Sequence, residues 1–235
     1  MPRLLVHVEG QTEEGFVNEV LRSHLVGAGY HSVEARIVGN ARQRRRRGGI
    51  RPWPSVRTDI MNHLRQDQTC IATTMVDYYA LPQDGAGAWP GRAQAVASGS
   101  AAQKGQRVQD AVQTDLASAM GHSFDVSRFV PFVVMHEFEG LLFRDCESFS
   151  RAIYRVDLEA GFREIRAGFA TPEDINDSPE TAPSKRIEAL VPGYQKPLLG
   201  VVAVLEVGLH RIRAECPHFD SWPSDLEFRV RPAVS

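Results

Sequence analysis

Apolar positions along the chain fall into two regimes. Up to Cys146, short apolar or β-branched runs alternate with stretches of helical spacing; beyond it only helical spacing remains, punctuated by proline. Leu4–Val8 (LLVHV) predicts a buried strand. Glu14–Val26 predicts a helix with Phe16, Val17, Val20, Leu21 and Leu25 on one face, Thr12 as its N-cap and Gly10 in the turn before it. The pattern then predicts a strand over Ser32–Val38, a helix over Ser55–Gln66 and a strand over Ile71–Val76. A surface loop over 82–104, a helix over Gly105–Met120 and a strand over Arg128–Met135 follow. This order implies an α/β domain over residues 1–146, with a mainly parallel sheet flanked by helices. Helices expected over Glu147–Tyr154, Leu158–Ala167, Ser184–Leu190 and Leu198–Ala214 make residues 147–235 a helical C-terminal portion packed on that sheet.

Composition narrows the class. The 235 residues are 43% hydrophobic and 24% charged, ordinary for a globular protein. No apolar run approaches the ~18 residues that span a bilayer, and the N-terminus lacks a signal-peptide pattern, so a cytoplasmic protein without a membrane partner is expected. Cys70, Cys146 and Cys216 form no CxxC pair and are expected as buried thiols.

Charge changes the picture more. Eight arginines and no acid lie between Arg36 and Arg57, and with a net charge of −2 the rest of the chain carries about −10. Arginines as dense as Arg42, Arg44, Arg45, Arg46, Arg47 and Arg51 repel one another and predict an exposed, mobile loop. Two readings stay open: a solvated loop, or an arm that contacts nucleic-acid phosphates. Docking to an acidic protein surface also suits it.

The candidate chemistry lies where the strands end. Glu9 follows the first strand, Asp77 follows the third, and Glu137 and Glu139 follow the last, while Glu13 sits one helical turn after Glu9. In open parallel sheets ligands gather at the carboxyl ends of strands. Carboxylates crowded there need a positive charge between them, and hard oxygen donors suit Mg²⁺ or Mn²⁺. Glu13 and Glu14 also fit as first-turn residues that satisfy the helix N-terminus, and Glu139 fits on a helix surface. His136 is expected as a hydrogen-bonded structural residue, although a ligand role stays open. Tyr78 and Tyr79 fit either base stacking or a place at the sheet edge. Cys216 and His218 lack the second pair of a zinc site, and Phe219 with Trp222 reads as a packing cluster. No P-loop is present, so any ATP-driven step belongs to another chain.

The segments VEGQTEEGF, VDYYALP and HEFEGLLF resemble the TOPRIM-type motifs of an uncharacterised bacterial family, domain of unknown function 4276. The resemblance continues through PEDINDSPETAPSKRI, YQK and CPHFDSW. TOPRIM domains occur in topoisomerases, primases and overcoming-lysogenisation-defect nucleases, and use Mg²⁺ in phosphodiester chemistry. The resemblance implies a TOPRIM-like fold and a metal-dependent nuclease acting on DNA or RNA, as the effector of an anti-phage system with a separate ATPase subunit and a possible homo-oligomer. Glu9 matches the first TOPRIM glutamate, Glu13 the second acid of the "EGxTE" form, and Asp77 the first Asp of DxD. The second Asp is replaced by Tyr79, and Glu137 or Glu139 is the expected substitute. In this reading Glu9, Glu13, Asp77, Glu137 and Glu139 hold metal, Glu9, Glu13, Asp77 and Lys196 act in catalysis, and Lys185 and Arg186 join the arginine loop in binding nucleic acid. The competing expectation is a non-catalytic interaction or regulatory subunit of an ATPase complex that keeps the TOPRIM shell.

Overall fold

Leu4, Val6 and Val8 alternate with Leu5 and His7, and all five are buried, so the first strand must lie inside a sheet covered on both faces. A computed structural model, which describes residues 1–38, 50–176 and 178–231, places it there. Strand β1 (Arg3–Val8) pairs in parallel with β2 (Ser32–Ile37) on one side and β3 (Cys70–Asp77) on the other. Two short pieces, β4 (Phe129–Val130) and β5 (Val133–Val134), each pair in parallel with β3, giving the order β2-β1-β3-β4 with β5 beyond β4 along β3. The protein is α/β, as the sequence pattern implied.

The expected strand over Arg128–Met135 is thus broken at Pro131, which has no N–H to offer a ladder. Thr74 spans the gap. Its hydroxyl donates to the Phe132 carbonyl at 2.8 Å and accepts from the Phe132 N–H at 2.9 Å.

Between β1 and β2 one continuous helix, α1, is α-helical over Gln11–Phe16, π-helical over Val17–Leu21 and α-helical again over Arg22–Ala28. Its N-cap is Gly10 and not the expected Thr12, which is buried inside the first turn. Helix α2 (Trp53–Gln66) precedes β3. The expected loop over 82–104 contains a short helix, Arg92–Ala95, and the start of α3 (Ala101–Met120). That start comes earlier than expected because Ser100 and Gln103 cap it reciprocally, each accepting from the other's backbone N–H.

Beyond Cys146 the helices are α4 (Cys146–Ala152), α5 (Glu159–Ala167), α6 (Pro183–Leu190), α7 (Lys196–Val207), α8 (Leu209–Glu215) and α9 (Pro217–Phe228). The helix expected over Leu198–Ala214 is α7 and α8, parted at Gly208, whose φ of 82° favours glycine. Helix α9 was expected only as the packing cluster of Phe219 and Trp222.

Each face of the sheet has its own core. Leu4, Val6 and Val8 pack with Phe16, Phe132, Phe149, Phe162, Ile212 and Trp222, so the first strand and the C-terminal helices share one cluster. Trp222 stacks on Phe132 at 4.6 Å, which anchors α9 to the sheet. The other face is covered by α2 and α3 through Trp53, Ile60, Val108 and Leu116, packed on Ala72, Val76 and Val133. Among the described residues, no helix is long and apolar enough to cross a membrane.

One contact sets the position of α7. A Cβ on Gly15 of α1 would lie 2.4 Å from a Val201 methyl group, and a Cβ on Gly200 would lie 3.0 Å from the Thr12 methyl group. The two helices therefore touch through small residues, which places the N-terminus of α7 beside the first turn of α1. Gly15→Ala should cost ~1–3 kcal/mol of unfolding free energy through overpacking, although alanine favours a helix by ~1 kcal/mol. Adding Val201→Ala should recover the loss. Chemical denaturation of the two variants checks both expectations, and a stabilised single variant would refute the tight contact.

Candidate active site

The strand order reverses at β1. The chain passes from β1 to β2 on one side and then to β3 on the other, so the switch point lies between the carboxyl ends of β1 and β3. In open α/β sheets that crevice is where ligands bind. Glu9, immediately after β1, and Asp77, the last residue of β3, both sit there. The Asp77 N–H donates to Glu9 Oε2 at 3.3 Å, and the Glu9 N–H donates to the Met75 carbonyl at 3.3 Å.

Asp77 in turn fixes the next segment. Its Oδ1 accepts the Phe138 N–H at 3.0 Å, which draws the 3₁₀ turn Phe138–Arg144 toward the end of β3. Glu137 and Glu139 arrive on that segment. Glu137 Oε2 accepts the Ser184 N–H at 2.9 Å, in the first turn of α6. Glu13 has both roles that its sequence position allowed. Its Oε2 accepts the Gly10 N–H at 2.9 Å, closing the start of α1, and its charge acts on Glu9 and Asp77.

Lys196, the first residue of α7, enters this group. Its Nζ lies 3.1 Å from Glu139 Oε2 and 3.5 Å from Glu137 Oε1. Glu139 is 1% exposed, and its other oxygen, Oε1, is buried with no hydrogen-bond partner. The structure thus brings together all five acids singled out from the sequence, together with Lys196.

The electrostatics follow from burial and crowding. Burial, reinforced by the charge of Glu13, pushes the Glu9 carboxyl up to about 7. Burial raises Asp77 well above the ordinary carboxylate range, with Glu13, Glu9 and Glu139 adding to the effect. Burial also raises Glu13, against the hydrogen bonds at the start of α1. Glu139 is pushed up to about 7 by burial, although Lys196 opposes the rise. Burial alone would lower Lys196, but Glu139, Glu137 and Asp77 hold it above its ordinary value. Carboxylates this poorly compensated call for more positive charge than one ammonium supplies. The donors are all oxygen, which fits Mg²⁺ or Mn²⁺ better than zinc. Among the described residues no group of three His, Cys, Asp or Glu side chains has metal-holding geometry, and Glu137 and Glu139 both pair with Lys196.

The aromatic residues beside the site divide. Tyr78 is buried, with the Arg92 guanidinium 3.8 Å from its ring centre and bonded to its carbonyl and hydroxyl oxygens, so it is part of the packing. Tyr79 is half-buried, its ring 5.2 Å from that of His136. His136 has a φ of 62°, uncommon for a residue with a side chain, and its Nδ1 is buried without a partner. Its imidazole is not the hydrogen-bonded structural group expected, at least at Nδ1, and burial lowers it to about 4.

Of the residues expected to bind nucleic acid, Arg42, Arg44, Arg45, Arg46 and Arg47 lie outside the described residues. Arg51 pairs with Asp59 at 2.7 Å, and Lys185 with Glu188 at 2.8 Å. Arg186 donates to the Thr181 carbonyl at 2.8 Å and lies over the Phe169 ring. Lys185 and Arg186 follow Ser184, the residue held by Glu137, so the start of α6 adjoins the site. All three cysteines are free and buried, as expected.

Glu173 and His7 are among the buried polar groups that escaped the sequence reading. Glu173 accepts the N–H groups of His218 at 2.9 Å and Phe219 at 2.8 Å, in the first turn of α9. His7 Nδ1 lies 3.2 Å from the Thr73 carbonyl, and its Nε2 lies 3.1 Å from His63 Nδ1. The only sequence signals were an acid in PEDIN and a histidine inside an apolar strand.

These carboxyls have a consequence for stability. Glu9, Glu139 and Glu173 sit near 7 in the folded protein against an ordinary 4.5, so between those values the folded state holds more protons than the unfolded one. Their contribution is present in full below the unfolded value and is lost as pH rises through 7. His7 and His136, lowered by burial to about 3 and about 4, work in the opposite sense below their ordinary 6.5, so the metal-free protein should show a net loss on the order of 2 kcal/mol between about pH 5 and pH 8. Urea midpoints across that range check this, and a flat profile would contradict it.

Comparison with known proteins gives a family without a described activity. No curated protein and no solved structure matches the chain. The family profile of a domain of unknown function, DUF4276, matches residues 8–227, which takes in every acidic residue of the site. The chain belongs to the DUF4276 family.

Proposed function

We propose that this protein is a metal-dependent nuclease that hydrolyses phosphodiester bonds of DNA or RNA. The observation that carries the reading is the meeting of Glu9, Glu13, Asp77, Glu137 and Glu139 at the switch point of the sheet, with Glu139 Oε1 buried and unpartnered. The resemblance of VEGQTEEGF and VDYYALP to TOPRIM motifs supports the same chemistry. Glu9, Asp77, Glu137 and Glu139 would hold Mg²⁺ or Mn²⁺, with Glu137 and Glu139 standing in for the acid that Tyr79 replaces. Such an ion supplies Lewis acidity toward a phosphoryl oxygen and toward an attacking water.

The chain's own residues supply the rest. Glu13, with Oε2 held by the Gly10 N–H, would take a proton from the attacking water. Lys196, one-third exposed, can face the leaving oxygen and stabilise its charge. The backbone N–H of Asp77 holds Glu9 in place, and the N–H of Ser184 does the same for Glu137. The arginine loop would bind the nucleic-acid backbone. By the family resemblance, the protein would work in the cytoplasm as the effector of an anti-phage system with a separate ATPase.

A second reading, a non-catalytic subunit docking on such an ATPase, is favoured by one observation. Leu198, Val202 and Leu205 are exposed along one stripe of α7 (61%, 39% and 51%). Divalent-dependent cleavage separates the two.

Wild type should nick plasmid DNA or cleave RNA with Mg²⁺ or Mn²⁺, and Glu9→Ala or Asp77→Ala should each lower the rate at least ~100-fold. Equal activity in all three proteins removes these residues from the mechanism; no cleavage by wild type leaves the docking subunit. Replacing Arg44, Arg45, Arg46 and Arg47 by Ser should weaken nucleic-acid binding and reduce the salt slope by about 3–4. An unchanged slope in a filter-binding titration would assign the loop to protein docking.

A further inference from the structure

Lys196 reaches the carboxylates from a fixed backbone. Helix α7 is held against α1 by the Gly15–Val201 and Gly200–Thr12 contacts, so its N-terminus cannot withdraw without unpacking the two helices. The side chain is different: it has a flexible four-carbon stem, and 34% of it is exposed. A change of rotamer is enough to carry the ammonium out of the cluster. In its present position the ammonium uses Glu139 Oε2 and Glu137 Oε1, oxygens that a hard divalent ion would need. The same carboxylates, turned to the ammonium, do not form a metal-holding group among the described residues. Glu139 Oε1, buried and without a partner, shows that the ammonium leaves part of the site's bonding capacity unused.

We infer that Lys196 is a tethered counter-cation that occupies the divalent-ion position of the resting site and must swing out before the ion can bind. This rests on the nuclease reading and adds a device to it. The lysine keeps the acids from repelling one another when no ion is present. It also sets a threshold of ion concentration below which the site stays closed. Once displaced, it lies at the rim of the site, where a phosphate would arrive. A lysine that served only the substrate would not be expected to compete with the ion. One that fills the ion's place must do so, because a monovalent and a divalent cation cannot share the same two oxygens at contact.

The test is Mn²⁺ binding by calorimetry to the full-length protein, without nucleic acid. Lys196→Met keeps most of the stem and removes the charge. It should melt at a lower temperature than wild type without metal, bind Mn²⁺ at least 10-fold more tightly, and gain more melting temperature per added Mn²⁺. Lys196→Arg, which keeps the cation, should bind no more tightly than wild type. If Lys196→Met is unfolded without metal, Lys196→Gln replaces it with the same expectation. Wild type binding Mn²⁺ with the neutral variants binding equally or more weakly overturns the competition and leaves the nuclease reading standing. No Mn²⁺ binding by any of the proteins overturns both.

Discussion

The structure depends on one electrostatic constraint: acids crowded at the end of a parallel sheet must share positive charge. β1 and β3 are neighbours, and each finishes at a carboxylate, so the sheet itself forces Glu9 and Asp77 together. The loop after β5 adds Glu137 and Glu139, and the first turn of α1 adds Glu13. Removal from water makes Glu9, Glu13, Asp77 and Glu139 costly to ionise. The carboxyls raised toward 7 and the raised Lys196 are two sides of one imbalance, in which the acids outnumber the cation that enters them.

This gives the C-terminal helices a reason to be where they are. The sheet portion supplies the acids, while α7 supplies the ammonium and the start of α6 supplies the N–H that holds Glu137. The shared core of Leu4, Val6, Phe149, Ile212 and Trp222 ties these helices to the first strand. Glu173 fastens the start of α9 to the same body by taking two backbone N–H groups that would otherwise be orphaned. Loss of that packing would move Lys196 relative to the acids, so the chemistry of the strand ends and the stability of the helices are coupled.

What the sequence made legible was local. Glu9 and Asp77 stood out because an acid directly after an apolar strand has few structural uses, and strand ends are fixed by short-range pattern. The order of strands and helices was readable for the same reason. Thr12 was misread as the N-cap because side-chain preference favours threonine, whereas here Glu13 closes the turn on the Gly10 N–H. The last strand was drawn unbroken because its apolar run hides what Pro131 does to the ladder. Glu173 and the His7–His63 pair were not legible at all. Their partners lie far away in sequence, at His218, Phe219 and Thr73, and no periodicity records such contacts.

Tyr79 shows how the ends of neighbouring strands are joined. Tyr79 lies half-buried against His136, and its backbone N–H donates to the His136 carbonyl at 3.3 Å. That bond, with the one from Phe138 to Asp77, joins the end of β3 to the segment after β5, in which His136 has a left-handed backbone. Glu137 and Glu139 follow directly, paired with Lys196. Tyr79 thus helps hold in place the segment that carries Glu137 and Glu139. The strained backbone at His136 lies directly before the segment that carries these two acids.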